Sequence, residues 1–463
     1  MSSEGNLVRA VFVAFLTSLS AGICLGYRSY LIFARSWILE AEITFYAGLV
    51  CGSLLACWFM ARCGRQWTMH FTCLLSLVGW SCFCASPRSG SGNCYLTGCF
   101  LLGTSVSLFI PACLVYLFEI VPCKWAATVG CLTWFGVTLG FTLSQALIAF
   151  PSWIRIAFIN ATIVTVVNII LWPLPESPKW LKKVEQFQMA AAASSWFYGL
   201  TPGDAADGRG SLSPQDAKSL LGAAPAQIPT LQYKSKFLVA MWLMLLQQLT
   251  GFGPMLYFGE LIFKYEGFPV AYYLAPSIGL PQVVSTLIAI LVANFAPRKA
   301  MLYYSAIIMT LAHFILGLLL TSDDLKPTSP FIILCITLYM IGFSLGWGPL
   351  PMVIIMELFG PAERDFPLGL TVSLSWLMHF FLIFSYEPIT VVVPPSVYHW
   401  MTAGFCLFAC FVVRQWIPET KDSDADEYVV KRAMNLELRG SAPSSSTNAF
   451  VPRPASSVDN KIA

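Results

Sequence analysis

The sequence is short of charge. Asp, Glu, Lys and Arg make up 11% of 463 residues, against about 25% in a soluble protein. The formal net charge is only +3 and no basic face forms, which excludes nucleic acid as a partner. Histidine is scarce as well. His70, His313, His379 and His399 are far apart and show no metal-ligand spacing, which argues against a metal-dependent enzyme. No Walker-type glycine loop is present, so ATP has no phosphate cradle. The 15 cysteines contain no CxxC pair. Most lie inside apolar runs, as do Cys51, Cys57, Cys73, Cys131, Cys406 and Cys410, and read as small apolar packers rather than disulfides. A cleavable leader is also lacking: the apolar run from Leu7 is too long for one and has no A-x-A site. The one N-x-[ST] match, at Asn160, falls inside an apolar run, where a glycan is not expected.

Long apolar runs are what the chain has instead. Hydrophobic residues reach 57% and the mean hydropathy is +0.69. Twelve stretches are long enough to cross a bilayer, at ~20 residues each. They are 7–27, 43–61, 67–86, 94–118, 127–149, 154–174, 236–263, 270–295, 300–320, 330–356, 366–390 and 396–416. Apolar runs in lipid must pair their own backbone groups, which makes them helices. The expected class is therefore all-α, a polytopic membrane protein.

The longest polar interval follows the sixth run. It begins with Lys179, Lys182 and Lys183, read as a surface amphipathic helix, and continues as a Gly/Ser/Asp-rich linker. The expected organisation is a six-helix half over 1–174, a central loop over 175–235, a second half over 236–420 and a disordered tail over 421–463. Lys and Arg are richer in the loops holding Arg62, Arg65, Lys124, Lys179, Lys234, Arg298 and Arg364. The positive-inside rule puts those loops, and both termini, in the cytoplasm.

Three places in the second half echo the first. RCGRQ (62–66) answers FAPRKA (295–300), YLFEIVP (116–122) answers IMELFGP (355–361), and PLPESPKWL (173–181) answers WIPETKD (416–422). Two pseudo-symmetric halves around a central site are a transporter design. The stretch WGPLPMVIIMELFGPAER (347–364) follows Gly346 and carries Gly348, Pro349 and Pro351 at its start. Gly and Pro break a helix ladder, and a break at membrane depth needs partners in protein or in a wet cavity. It reads either as a pointer to a substrate path or as a packed kink.

Taken together, LPESPKWL (174–181), QQLTGFGPMLYF (247–258), GWGPLPMVIIMELFGPAER (346–364) and IPETK (417–421) resemble the sugar porter family of the major facilitator superfamily. The resemblance covers about residues 10–422 and implies the major facilitator fold, twelve transmembrane helices in two six-helix halves. It implies a small neutral sugar as substrate, no cofactor and no enzymatic activity. It also implies binding by Gln145, Gln247, Gln248 and Gln282, a ring face at Trp376 and a gate tyrosine at Tyr257. An amide suits sugar hydroxyls because it both donates and accepts without charge. The other reading of each Gln is an interhelical bond that only holds spans together. For Gln247 the expectation is an amide turned to the cavity, so that its loss harms binding more than folding.

The sequence departs from the family at several points. Gly253 stands in place of an Asn, Met352 in place of a Trp, and Ser375 and His379 in place of asparagines. The implied gate network includes Arg65, Glu119, Glu176, Lys179, Glu357, Arg364 and Glu419. Cys99 and Ala126 replace arginines in it, and Asn294 and Pro297 break the pattern after the eighth span. Proton-coupled members carry an Asp after GY in the first span; Arg28 stands here, so facilitated diffusion is expected. The expected function is a facilitative carrier for a hexose or a trehalose-like disaccharide, in the plasma membrane by family default. The alternative is a transport-poor sugar sensor. The sequence leaves the oligomeric state open.

Overall fold

Apolar runs become helices throughout the computed structural model. It describes residues 3–33, 38–89, 92–122, 125–146, 153–199, 233–256, 268–321, 330–361 and 363–421. The helices of the first six spans are α1 Ser3–Phe33, α2 Ile38–Cys63, α3 Arg65–Ser89, α4 Gly92–Ile120, α5 Ala126–Ala146 and α6 Trp153–Leu171. Two short helices follow, α7 Pro178–Lys183 and α8 Phe187–Tyr198. The second set is α9 Tyr233–Leu249, α10 Phe268–Val292, α11 Arg298–Leu319, α12 Pro330–Leu345, α13 Leu350–Leu358, α14 Asp365–Val392 and α15 Pro395–Gln415.

All twelve expected spans carry helix. Among the described residues eleven are long and apolar enough to cross a membrane, and the eighth, α10, adds the shorter apolar stretch Ile278–Val292. The tenth is not continuous: the backbone turns at 346–349, between α12 and α13, where Gly and Pro cluster. The expected tail, most of the linker and Tyr257 lie outside the described residues, as does the Arg28 side chain.

The packing repeats. α1 lies on α5, α2 and α3 on α4, and α3 on α6. Six spans later, α9 lies on α14, α10 and α11 on α12, and α11 on α15. The two sets meet where α2 packs on α14 and α5 on α10, contacts that the same pseudo-two-fold exchanges. Small residues allow the close approaches. A Cβ on Gly22 would fall 2.1 Å from the Val137 carbonyl oxygen, and one on Gly140 2.1 Å from that of Leu19. Such seams draw membrane helices together, since lipid supplies no hydrophobic drive between them. α4 is buried without interruption from Leu102 to Ile120. Outward positions are apolar too: Val166, Ile169, Leu291 and Phe331 are each about half or more exposed, which suits lipid as the surrounding solvent.

The short helices sit beyond the ends of the spans. Ser177 caps α7 by accepting the Trp180 N–H, and Pro178 fills the first turn, where no N–H is needed. Tyr198 at the end of α8 donates to the Ile120 carbonyl at 2.8 Å, which ties α8 to the end of α4.

Candidate functional site

A cavity of ≈ 90 Å³ lies between the two sets of helices. It takes several waters, at ~10–15 Å³ for the first. Its first-half wall is mostly apolar, with Phe45, Tyr46, Ile110, Trp134 and Phe141. Its second-half wall carries the polar groups: Gln247, Gln248, Gln282, Ser375, Trp376 and His379. No Asp, Glu, Lys or Arg lines it among the described residues.

The break between α12 and α13 explains where Gln247 points. Unwinding frees carbonyls that lipid cannot satisfy. The Gln247 amide donates to the Trp347 carbonyl at 2.7 Å and to that of Gly348 at 3.0 Å. Both its hydrogens therefore hold the break in place, and its oxygen is left for the cavity side. There the Gln248 amide approaches it at 3.5 Å. Ser305 and Leu302 of α11 secure the same break through the Trp347 N–H and its indole N–H.

Gln248 is the hub of the polar wall. Its amide donates to Ser375 Oγ at 2.8 Å, and its oxygen lies 2.7 Å from His379 Nδ1. An amide oxygen only accepts, so Nδ1 carries the hydrogen. The imidazole sits over Gly253. A Cβ added there would meet His379 Cε1 at 2.9 Å and Ile383 Cγ1 at 3.0 Å. The histidine thus fills the space that a side chain at 253 would need. Tyr46 and Trp376 flank its ring, each with centroids 5.6 Å away.

Among the described residues, three cavity groups have no protein partner for a hydrogen-bonding atom. Trp134 Nε1 and Trp376 Nε1 are buried donors with none. Gln282 gives its amide only to the soft Met340 sulfur at 3.3 Å, which leaves its oxygen to accept. Buried donors in proteins are normally paired, and these two indole N–H groups are packed over beside the cavity. Gln145 is one helical turn beyond Phe141 on α5. It is buried, its Oε1 has no partner, and it is not among the cavity-lining residues.

The charged network assembles at one end of the bundle, in duplicate. Arg65 reaches Glu119 at 3.0 Å and donates to the Met60 carbonyl. Arg298 reaches Glu357 at 3.2 Å and donates to the Ala293 carbonyl. Glu176 accepts the N–H groups of Arg65 and Gln66, each at 3.0 Å. Glu419 accepts those of Arg298 and Lys299, at 2.8 and 3.1 Å. Each carboxylate thereby caps the start of the helix that carries its arginine. Burial pushes the Glu176 carboxyl up to about 7, against the opposing pull of the Ser177, Arg65 and Gln66 N–H groups. Lys179 is half-buried in α7. Arg364 is buried within electrostatic reach of Glu119.

Two residues missing from the sequence-based set close this end. Asp365 bonds Arg65 at 3.0 Å and Lys183 at 3.4 Å, which links the second set of spans to the first. Asn294 accepts from Thr128 at 2.7 Å, also between the sets. Ser53 and Ser373 meet at 2.8 Å on the α2–α14 seam. These contacts tie the two sets of spans together.

A family model described as "Sugar (and other) transporter" matches residues 20–431. The chain belongs to this family. It is 25% identical over 437 residues to the facilitated trehalose transporter Tret1 of Bombyx mori, covering 91% of this chain and 86% of that one. It is 23% identical over 462 residues to the facilitated glucose transporter member 8 of solute carrier family 2 from Bos taurus, covering 90% and 92%. The chain spans under half the length of longer Drosophila trehalose transporters, 41% of the one from Drosophila erecta. In structure it resembles the proton:xylose symporter XylE bound to 6-bromo-6-deoxy-D-glucose. The TM-score is 0.77 at 18% identity, with 90% of this chain and 97% of that one covered.

Within this transporter, Arg298 and Trp134 are the other site residues that sequence reasoning passed over. Arg298 was legible, because RCGRQ and FAPRKA place it opposite Arg65. Trp134 had no signal beyond being an aromatic residue in an apolar span.

Proposed function

We propose that this transporter carries a neutral sugar, a hexose or a trehalose-like disaccharide, down its gradient by alternating access. One observation carries the reading: among the described residues a central cavity without fixed charge is walled by the amides of Gln248 and Gln282, by Ser375 and by the aromatic rings of Trp134 and Trp376. A polyhydroxyl ligand donates and accepts at many points and is neutral. The aromatic faces of Trp134, Trp376 and Phe252 suit the apolar faces of a sugar ring. The relatives named for facilitated trehalose and glucose transport support this substrate class. Gln247 serves as a positioning residue, and Gln248, Gln282, Trp376 and His379 supply contacts. Gln145 enters the site when the halves move, and Tyr257 keeps the gate role that the family resemblance implies.

The charged end faces the cytoplasm, with both termini, as the Lys/Arg distribution supports. The membrane proposed is the plasma membrane. With the two sets tied together at this end by Asp365–Arg65 and Asn294–Thr128, an occluded or outward-facing step of the cycle is proposed. The arginines missing at 99 and 126, with Gly253 and Met352, are the grounds for the sensor alternative; both halves keep a paired arginine and a capping glutamate, which supports transport.

Titration of purified protein with glucose and with trehalose, followed by tryptophan fluorescence, tests the site. Saturable quenching that weakens in Trp376→Phe is expected. Binding of neither sugar by folded protein would refute the assignment.

A further inference from the structure

A groove of ≈ 310 Å³ lies outside the transport path, between α3 and α6. Leu77, Val164, Ile169 and Trp172 line it, together with Asn168. It opens outward, toward lipid: Ile169 is 68% exposed and Trp172 67%. It sits toward the charged end, where Trp67, His70 and Trp172 cluster with centroids 5.3–6.2 Å apart. Exposed tryptophans of this kind mark the headgroup level of a bilayer.

Of the two polar residues in its lining, Thr165 is spent on the Ala161 carbonyl and Asn168 is not. His70 Nδ1 lies 2.7 Å from Asn168 Oδ1. The amide oxygen accepts, so Nδ1 carries the hydrogen and Nε2 is left as an acceptor. Among the described residues neither His70 Nε2 nor Asn168 Nδ2 has a protein partner, and neither is sealed from outside. An idle amide donor and an idle imidazole acceptor side by side can both be met by one hydroxyl, which donates and accepts.

We propose that this groove is a lipid site for a sterol. A sterol hydroxyl accepts from Asn168 Nδ2 and donates to His70 Nε2, and the fused rings lie along Val164, Ile169 and Leu77. No charged residue lines the groove, so a phosphate headgroup finds no counter-charge. Asn168 lies about 6 Å along α6 from Val164 at ~1.5 Å per residue, with the Thr165 hydroxyl between them spent on Ala161. A rigid body with one hydroxyl matches that layout. A flexible acyl chain would lose more conformational freedom on binding.

The test uses the full chain in phosphatidylcholine nanodiscs with a photoactivatable sterol. Labelling should map to peptides of α3 and α6, and excess unlabelled sterol should compete it away. Asn168→Leu removes one neutral hydrogen bond and should weaken competition roughly 2- to 12-fold. Ile169→Trp fills the groove and leaves the polar pair intact, so it should abolish the labelling; it decides the question alone should Asn168→Leu fail to fold. Labelling spread evenly over the bilayer face, labelling unchanged by Ile169→Trp, or equal competition by diacylglycerol would overturn the proposal.

Discussion

Gly253 and His379 act as one position. The imidazole lies where a Cβ at 253 would fall, and it is held there by Gln248 at 2.7 Å. Gly253→Asn alone should displace the ring and weaken sugar binding, and His379→Asn alone should remove a contact. The double variant should recover much of the loss, with a coupling of about 0.5–3 kcal/mol in a double-mutant cycle. Additive losses would show that the two residues are independent. Gln247 and Gln282 should separate in the opposite way. Gln247→Ala removes two buried bonds to the helix break, so stability should fall by about 1–3 kcal/mol. Gln282→Ala removes an acceptor that faces the cavity, so affinity should fall roughly 2- to 12-fold with melting little changed. Thermal melting and sugar titration of each variant check both statements. Sequence resemblance put both glutamines in one class. It had no means of showing which atoms the break would claim, because that depends on a carbonyl a hundred residues away.

Duplicated helix ends do the work of the gate. In both halves an arginine pairs with the glutamate ending a span, and a loop glutamate caps the arginine's own helix. The motif echoes made this legible before any coordinates, and the packing pairs repeat with the same shift of six spans. Asp365 was not legible, since it has no echo in the first half. Its carboxylate nonetheless joins the two sets through Arg65, which is fully buried. Asp365→Asn should therefore favour opening at the charged end. Reactivity of a reporter cysteine placed in the cavity should rise toward reagents added from that side, and unchanged reactivity would count against Asp365 as a latch. Glu176 gives the gate a pH signature. Its pKa in the folded protein, about 7, is above the ordinary ~4.3. The folded state then binds more protons than the unfolded one between those values, so stability is greatest at the acid end and is lost as pH rises through about 7. Melting temperature should fall from pH 5 to pH 8 by ~2–4 °C per kcal/mol of this effect. Glu176→Gln, fixed in the neutral form, should show a flatter profile. An equally steep profile would assign the titration elsewhere.

At the scale of the molecule, the sequence was legible wherever lipid dictates structure. Apolar length placed all twelve spans, and Gly and Pro placed the break in the tenth. The cavity was less legible because its chemistry depends on which polar atoms remain unpaired after packing. Trp134 and Trp376 have equivalent idle indoles, yet only Trp376 belonged to a recognisable pattern. The account's central claim is equilibrative movement of a neutral sugar through this cavity. Its most direct test is uptake of radiolabelled glucose and trehalose into proteoliposomes, with and without an imposed proton gradient. The account predicts saturable uptake of at least one of them that stops at equal concentrations, is indifferent to the gradient and declines in Trp376→Phe. Accumulation above the outside concentration that an uncoupler abolishes, or no uptake by folded and reconstituted protein, would contradict it.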